Sequence, residues 1–416
     1  MSLELKLKAA KKASLLMRNI SSEKKIELIN SIADHVSKAS LEICSINQTE
    51  CLLAKDKGLT DSQIDRLMLD QSRIDAMVDA ARNVAMLPDC IGEELDSFLG
   101  ENDISIKKVR VPLGVVAVIY ENRPNVTLDA ASIAIKSSNA IVLRGSSTAH
   151  KTNTAIVKAI KEGIDAVGLD NNIVSFLEDP SHEEAIELMK AKDYVDVLIP
   201  RGGPALISSI EQNATVPFVI DGAGNCHVYV DEFADLEMAL KIVMNSKIQR
   251  TSVCNTAESL VVHVKIAEEF LQTVSKQLLD SSVIIHGDSR TLEILPANGN
   301  IILANEEDFA KEYLGLEISI AVVGSIEKAI EHINKYSTGH SESIVTSNSG
   351  NAKIFFNNID SAVVYQNTST RFTDGERFGF GAEIGISTQK LHARGPMALK
   401  ELTTYQYRVV SDGKTV

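Results

Sequence analysis

The sequence lacks the features that identify several broad classes of protein. Its longest apolar runs, such as residues 113–119, are far shorter than the roughly 20 residues needed to cross a bilayer. Its first residues do not form the apolar core of a signal peptide. No dense basic run accompanies the net charge of −14, so nucleic acid and anionic membrane surfaces are poor candidate partners. We therefore expect a cytoplasmic protein that binds neither.

Cysteine is scarce, odd in number and widely scattered. No C-x-x-C pair occurs, and cysteine and histidine do not cluster at the spacing of a zinc site. The pattern argues against a disulfide scaffold and against a structural metal, and it agrees with a reducing compartment. The five cysteines are Cys44, Cys51, Cys90, Cys226 and Cys254.

The length and the first quarter of the chain indicate a multidomain protein that begins with helices. The 416 residues exceed the roughly 250–300 residues at which a single core stops growing, so we expect two or three domains. Residues up to about 95 have helical patterns, with apolar positions between 26 and 36 at helical spacing. Thr60-x-x-Gln63 predicts a capping box at the start of a later helix.

From residue 104 the pattern changes to alternating strands and helices. Residues 104–111 predict an exposed antiparallel strand, and the apolar run at 115–120 is typical of a strand buried on both faces of a parallel sheet. We expect an α/β fold with two doubly wound, Rossmann-like domains in series. Further strands are predicted at 140–143, 173–176, 195–199, 228–230, 259–264, 301–303, 318–323, 343–345 and 402–410.

One thiol lies at a junction between predicted elements. Cys254 is in the segment 249–256, among small and polar residues, between a helical run at 238–246 and a strand-like run at 259–264. A helix end and free backbone N–H groups near such a thiol lower its pKa from about 8.5 and favour a nucleophile. A lone cysteine is otherwise more often a buried structural residue, and the pattern alone leaves both interpretations open.

Polar residues follow strands predicted in the first half of the chain. The dinucleotide fingerprint G-x-G-x-x-G is absent, and Gly222-x-Gly224 supplies only its first two glycines. Open parallel sheets bind ligands beyond the carboxyl ends of their strands, so residues at those ends are candidates for nucleotide binding. They are ENRPN at 121–125, RGSS at 144–147, EDP at 178–180 and PRGGP at 200–204.

Arginine beside glycine at a strand-to-helix turn suits phosphate groups, because it combines charge with free backbone N–H donors. We assign Arg144 and Gly145 to the adenosine end of a nucleotide, and Arg201, Gly202 and Gly203 to a phosphate. A positive charge near the ribose suits the 2′-phosphate of NADP. The alternative for each arginine is a surface ion pair with a nearby carboxylate.

Several longer segments occur together in one known family. They include IYENRPNVT at 119–127, LRG at 143–145, QRTSVCN at 249–255, EYLG at 312–315, GHSE at 339–342, STRFTDG at 369–375 and FGFGAEIGIS at 378–387. On these segments the chain resembles the aldehyde dehydrogenase superfamily and, more closely, the gamma-glutamyl phosphate reductase family within it. The resemblance runs from about Pro112 to the C-terminus, and the helical first quarter is compatible with it.

The resemblance implies a fold, a reaction and partners. It implies an aldehyde-dehydrogenase-like arrangement with an NADP-binding domain (1–97 and 113–225), a catalytic domain (226–385) and a small β oligomerisation element (98–112 and 386–416). The implied reaction is NADPH-dependent reduction of L-glutamyl 5-phosphate to L-glutamate 5-semialdehyde and phosphate, the second step of proline biosynthesis from glutamate. The sequence does not decide whether the cofactor is NADPH or NADH. A homo-oligomer is expected, and glutamate 5-kinase is a candidate partner.

The resemblance also implies roles for individual residues. Cys254 would be the nucleophile, whose thiolate displaces phosphate to give a thioester that hydride reduces. The oxyanion needs hydrogen-bond donors, and the side-chain amide of either Asn122 or Asn125 is the candidate because the spacing does not decide between them. Glu312 matches the glutamate that contacts the nicotinamide ribose.

Substrate binding is assigned to charged residues in the matching segments. Arg123, Arg250 and Arg371 are nominated for the substrate phosphate and carboxylate, since guanidinium groups bind planar oxyanions in a bidentate way. His340 is nominated as a donor to the substrate. A structural salt bridge is the alternative for each.

One departure from the superfamily concerns hydrolysis. Hydrolytic members carry a glutamate that activates water, and the nearest equivalent here is the shorter Asp221. The shorter acid favours attack on the thioester by phosphate over attack by water. Asp221 could still act as a weak base. Two alternatives remain: a hydrolytic aldehyde dehydrogenase acting on a small aldehyde, and a non-catalytic nucleotide-binding regulator.

Overall fold

The structure, a computed structural model, describes residues 2–220 and 222–416 apart from the side chain of Ser62. The described chain divides into two compact units. Of the described residues, the first unit comprises 2–220, Phe380–Gly385 and Met397–Val416, and the second comprises 222–379 and Ile386–Pro396. None of the helices described is both long enough and apolar enough to span a membrane.

The first unit opens with the predicted helices. The Ser21 hydroxyl caps the second of them, whose predicted apolar face is buried. Thr60 and Gln63 form the predicted capping box, in which each side chain accepts a hydrogen bond from the backbone N–H of the other residue. The helices are α1 (Leu3–Met17), α2 (Ser22–Lys38), α3 (Ser40–Asp56), α4 (Asp61–Leu67) and α5 (Gln71–Met86).

An antiparallel sheet follows in the first unit. Its strands are β1 (Glu94–Leu99), β2 (Ser105–Pro112) and the C-terminal β16 (Thr403–Val410), in the order β1-β2-β16. Both pairings are antiparallel, and β16 pairs with β2 from Thr403 opposite Pro112 to Val410 opposite Ser105. The predicted strand at 104–111 and the predicted C-terminal strand are thus each other's partners.

The parallel sheet of the first unit has the order β5-β4-β3-β6. Residues 115–120 form β3 and are buried on both faces, as their continuous apolar pattern predicts. Val115, Ala117 and Ile119 pack with α1 and with the helices that follow β5 and β6. The elements are β3 (Val115–Tyr120), α6 (Val126–Lys136), β4 (Ala140–Gly145), α7 (His150–Ala166), β5 (Val174–Phe176), α8 (His182–Met189), β6 (Val197–Arg201) and α9 (Pro204–Asn213).

The second unit is built on a parallel sheet in the order β10-β9-β11-β8-β7-β12-β13. Its elements begin with β7 (Cys226–Val230), α10 (Leu236–Ile248), β8 (Ala257–His263), α11 (Val264–Asp280), β9 (Ile284–Gly287), α12 (Ser289–Ile294), β10 (Ile301–Leu303) and α13 (Glu306–Ala310). They continue with β11 (Glu317–Val323), α14 (Ile326–Tyr336), β12 (Ser341–Val345), α15 (Ser349–Asn358) and β13 (Val363–Gln366). Outside this sheet, the short strands β14 (Gly385–Ser387) and β15 (Gly395–Met397) pair with each other.

Helices cover both faces of this sheet. In β7, Val228 and Val230 pack against α10 and α11, whereas Tyr229 packs against α14 and α15. In β8, Leu260 and Val262 face the first set of helices and Val261 faces the second. Alternate residues of one strand are therefore buried on opposite sides, which confirms the predicted doubly wound α/β class.

Some predicted boundaries are wrong by one or two residues, for a local reason. The strand predicted at 259–264 ends at His263, because its ring Nδ1 accepts the backbone N–H of Lys265 at 3.3 Å and caps α11. The strand predicted at 195–199 is β6, which begins at Val197.

Close packing of α2 against α7 depends on a glycine and gives a testable prediction. A Cβ at Gly163 would lie 2.7 Å from the Cα of Ile32, and the Ser31 hydroxyl donates to the Gly163 carbonyl at 2.8 Å. We expect Gly163→Ala to lower the free energy of unfolding by about 1–3 kcal/mol in denaturant titrations, although alanine is the better helix former.

Gly324→Ala, in the loop between β11 and α14, is the control, because a Cβ there would meet nothing within 4 Å. It should leave the stability unchanged or slightly higher. A Gly163→Ala protein as stable as the wild type would show that the two helices tolerate a wider separation.

Candidate active site

Cys254 lies in a loop at the amino edge of the second unit's sheet. This nucleophile loop, residues 249–256, joins α10 to β8. A turn places the Thr256 N–H 3.1 Å from the Val253 carbonyl, and the Thr256 hydroxyl donates to the Arg250 carbonyl at 2.6 Å. The loop is therefore closed by its own backbone, and Cys254 is half-buried at its turn.

The backbone of the nucleophile loop is held from two sides. On one side, a Cβ at Gly224 would overlap the carbonyl of Cys254, so only a glycine fits there. On the other, the Asn255 side-chain amide donates to the Thr373 carbonyl at 2.8 Å, and the Thr370 hydroxyl donates to the Asn255 carbonyl at 2.7 Å. These contacts fix the main chain while the thiol remains accessible.

A second thiol lies beside this loop in a very different environment. Cys226, the first residue of β7, is fully buried, and its S–H donates to the Cys254 carbonyl at 3.2 Å. Burial raises the pKa of the Cys226 thiol well above its ordinary value, so it stays neutral and inert. Cys90 is also buried, and burial raises its thiol pKa too. The half-buried Cys254 is thus the better candidate for a nucleophile.

Guanidinium groups gather around the same loop. Arg371 is only 8% exposed, and its Nε donates to the Gln249 side chain at 2.7 Å. Burial lowers the pKa of Arg371, and the positive charges of Arg377 and Arg250 lower it further. Arg250 and Arg371 were predicted from the sequence, whereas Arg377 was missed because it lies between the two matching segments 369–375 and 378–387.

Two other predicted residues also lie close to the nucleophile loop. A Glu312 oxygen accepts the backbone N–H of Gly224 at 2.7 Å, next to the point where Gly224 meets Cys254. His340 is fully buried, with its Nδ1 2.8 Å from the Ser341 hydroxyl and 3.6 Å from the sulfur of Cys226. The second unit therefore brings together Cys254, Arg250, Glu312, His340 and Arg371. Asp221, the shorter acid, lies outside the described residues.

The remaining predicted residues belong to the first unit, at one edge of its parallel sheet. Tyr120, at the end of β3, is in register with Gly145 of β4 and with Arg201 of β6, so the carboxyl ends of these strands coincide. Leu143 of β4 is in register with Phe176 of β5. The segments predicted to follow these strands therefore share an edge.

The two candidate asparagines differ in their hydrogen bonds. The Asn125 side-chain amide donates to the Asp129 carboxylate at 2.9 Å. Asn122 has a left-handed backbone with φ of 42°, and its side-chain oxygen accepts the Ser146 hydroxyl at 3.3 Å. Among the described residues, nothing accepts from the Asn122 amide group.

Two cofactor candidates of the first unit, Arg144 and Gly203, make hydrogen bonds to neighbouring loops. The Arg144 guanidinium donates to the carbonyls of Pro180 and Ser181 at 2.8 and 3.0 Å, and burial lowers its pKa. The Glu121 carboxylate accepts the N–H of Gly203 at the start of α9, at 3.0 Å. The sequence alone did not predict either contact.

A cavity of about 460 Å³ opens beside the segment that follows β4. Ser147 and Thr148 line it from this segment, and Lys57 and Lys151 add positive charge. At its wall, the Glu50 carboxylate accepts the N–H groups of Lys151 and Thr152 at 2.8 and 3.0 Å and so caps α7. The cavity combines apolar walls with cationic groups, as a nucleotide site does.

Comparison with known proteins decides the family. A sequence model described as the aldehyde dehydrogenase family matches residues 2–294. The chain belongs to the aldehyde dehydrogenase family. It is 49% identical to a gamma-glutamyl phosphate reductase of Petrotoga mobilis, with 99% of each chain covered, and 48% identical to that of Caldicellulosiruptor bescii, with 98% of each covered.

A solved structure agrees along the whole chain. The crystal structure of gamma-glutamyl phosphate reductase from Thermotoga maritima has a TM-score of 0.97 and 45% sequence identity, with all of both chains covered. The expected resemblance to gamma-glutamyl phosphate reductases and the aldehyde-dehydrogenase-like fold are both confirmed.

The close contact between Gly224 and the Cys254 carbonyl gives a testable prediction about the reactivity of Cys254. Gly224→Ala forces the Cys254 carbonyl to move, and a displacement near 1 Å changes reactivity by about 10²-fold. We expect a large change in the rate at which iodoacetamide alkylates Cys254, measured by mass spectrometry of its peptide, with little change in circular dichroism.

Gly324→Ala serves as the control, since a Cβ there meets nothing within 4 Å. It should react as the wild type does. Equal alkylation rates in all three proteins would mean that Gly224 does not determine the position of Cys254.

Proposed function

We propose that this chain reduces L-glutamyl 5-phosphate to L-glutamate 5-semialdehyde and phosphate with NADPH, in proline biosynthesis, through a thioester on Cys254. The observation that carries the proposal is the nucleophile loop, in which a half-buried thiol stands beside clustered guanidinium groups on a rigid backbone. The full-length relatives named gamma-glutamyl phosphate reductase support the same reaction.

The covalent step follows from the chemistry of Cys254. Its thiolate attacks the acyl carbon, the carbon–oxygen bond to phosphate breaks, and phosphate leaves with the bonding electrons, which gives a thioester. A nicotinamide cofactor, when bound, would supply the hydride that converts the thioester to the aldehyde and releases the thiolate. The chain's own residues hold the acyl carbon at the sulfur and stabilise the oxyanion.

For the oxyanion, the hydrogen bonds favour Asn122 over Asn125. The amide of Asn125 already donates to Asp129, whereas the Ser146 hydroxyl orients Asn122 by its oxygen and leaves its N–H donors for a ligand. We therefore assign the side-chain donor to Asn122 and the second donor to the backbone N–H of Cys254.

Substrate phosphate and carboxylate are assigned to the arginines. Arg250 and Arg371, joined by Arg377, form a cluster of like charge that an anionic substrate would neutralise. Arg123 remains a proposed ligand from the first unit. His340, which is buried beside Cys226, remains a proposed donor to the substrate.

NADP(H) is the proposed cofactor, held by Arg144, Gly145, Arg201, Gly202, Gly203 and Glu312. The donor set of the first unit fits a nucleotide, because Lys57 and Lys151 line the cavity beside the β4 loop. In addition, the Nε of Arg144 is buried with no hydrogen-bond partner among the described residues. A basic lining favours the 2′-phosphate and therefore NADPH over NADH.

The antiparallel sheet is the proposed oligomerisation element. The β1-β2-β16 sheet exposes apolar side chains, among them Leu99 and Val410 at 67% and 70% exposure. Packing such an edge strand against a second copy of the chain would pair its free backbone groups and bury its apolar side chains. We propose a homo-oligomer, acting in the cytoplasm, with glutamate 5-kinase as the candidate partner that supplies a labile acyl phosphate.

The first test separates phosphate exchange from hydrolysis. In the direction of semialdehyde oxidation, NADP⁺ reduction should require phosphate or arsenate, because only these attack the thioester, and Cys254→Ala should abolish turnover. Turnover without phosphate that yields glutamate would instead identify a hydrolytic enzyme. Full activity in Cys254→Ala would exclude the thioester.

The second test separates the two asparagines. Asn122→Ala should lower kcat by about 10²–10³-fold, the usual effect of losing one oxyanion donor. Asn125→Ala should lower it much less, since that amide is engaged by Asp129. Steady-state kinetics of both variants, with thermal unfolding as the folding control, decide the assignment, and a larger loss for Asn125→Ala would reverse it.

A further inference from the structure

A fully buried ion pair closes the base of the nucleophile loop. Lys247 is in the last turn of α10, before the loop, and Glu258 is in β8, after it. The ammonium group of Lys247 pairs with one carboxylate oxygen of Glu258. Neither side chain is exposed. The pair therefore ties together the two chain segments that enter and leave the loop.

Stability alone does not explain charges at this place. Moving two ions out of water is unfavourable, and a well-packed apolar pair of similar volume is often as stable or more stable. Burial raises the pKa of Glu258 to about 7 and lowers that of Lys247, so the site disfavours both charges even though each stabilises the other. The pair calls for a role beyond holding the core together.

The second oxygen of Glu258 holds another segment of the site. It accepts the backbone N–H of Leu314 at 3.1 Å. Leu314 has φ of 53°, in the left-handed region that residues other than glycine adopt only when their surroundings hold them there. The carboxylate thus fixes a backbone conformation that the sequence does not favour locally.

This segment leads back to Cys254. Two residues before Leu314, the Glu312 carboxylate accepts the N–H of Gly224, and Gly224 lies against the Cys254 carbonyl. One buried carboxylate, Glu258, therefore acts on the nucleophile loop directly through Lys247 and indirectly through Leu314 and Glu312.

We propose that Lys247 and Glu258 are positioning residues for the proposed reaction. Their ion pair sets the separation of the loop's two ends, and the hydrogen bond to Leu314 sets the segment that supports Gly224. Together they hold the Cys254 sulfur in line with the acyl carbon, where small displacements have large effects on rate. The proposal rests on the proposed function, in which Cys254 is the nucleophile.

The test is Lys247→Met in the full-length protein, with Lys25→Met as its matched control. Lys25 is also a buried lysine paired with a carboxylate, that of Asp89, but it lies in the first unit. Both variants should lower the melting temperature. Well below that temperature, Lys247→Met should lower kcat by about 10- to 100-fold, with a much smaller change in the KM for semialdehyde.

A second readout is independent of turnover. The rate of Cys254 alkylation by iodoacetamide, followed by mass spectrometry of its peptide, should change severalfold in Lys247→Met and stay at the wild-type value in Lys25→Met. A merely structural pair would lower the melting temperature of the folded protein without changing either kcat or this rate, and that result would overturn the proposal.

Two further variants keep the test valid if Lys247→Met does not fold. Glu258→Gln retains an oxygen for the Leu314 N–H, and Lys247→Met/Glu258→Gln leaves no unpaired buried charge. The double variant should recover stability but not kcat, and recovery of both would overturn the proposal. If Cys254→Ala is active, the proposed function is rejected. If Cys254→Ala is inactive but Lys247→Met is fully active, the proposed function stands and only the positioning role of the ion pair is rejected.

Discussion

The arrangement of the site depends on the contacts of one backbone group, the carbonyl of Cys254. Its oxygen accepts the S–H of Cys226, and Gly224 lies so close that no side chain fits between them. The backbone of Cys254 is therefore fixed on its buried side, while the residue as a whole is half-buried. A reactive residue on a loop needs this combination, because a mobile loop would spread the sulfur over many positions that do not react.

The neighbouring thiols show how one fold gives two cysteines opposite properties. Cys226 begins β7 and is sealed in the sheet, so burial keeps it protonated and suited to donate a hydrogen bond. Cys254 lies outside β8, in a half-buried turn, and its charge acts on that of Arg371. The register of β7 and β8 sets this difference, since Cys226 is opposite Ala257, three residues after Cys254.

Much of the fold could be predicted because burial on both faces leaves a continuous apolar run, as in β3. The strands β9 and β13 were not predicted, because His286 and Gly287 end the apolar run of β9 and β13 is nowhere fully buried. At the site, the position of Cys254 between a helix and a strand and the shared edge of the first sheet follow from local pattern and strand direction, whereas only the family resemblance singles out Cys254 as the candidate nucleophile. The pairing of Lys247 with Glu258 and the contacts of Arg144 depend on residues that meet only after folding, so sequence spacing does not predict them.

The arginine cluster suggests where binding energy for an anionic substrate originates. Arg250 and Arg377 both act to lower the pKa of Arg371, which means that like charges are already held close together before any ligand binds. Asp374 opposes this effect, so the repulsion is only partly compensated within the fold. A substrate carrying phosphate and carboxylate would complete the compensation, and its binding would be strengthened by the repulsion that it relieves. A neutral aldehyde would not relieve this repulsion, so a substrate site at this cluster would favour an anionic acyl phosphate over an uncharged substrate.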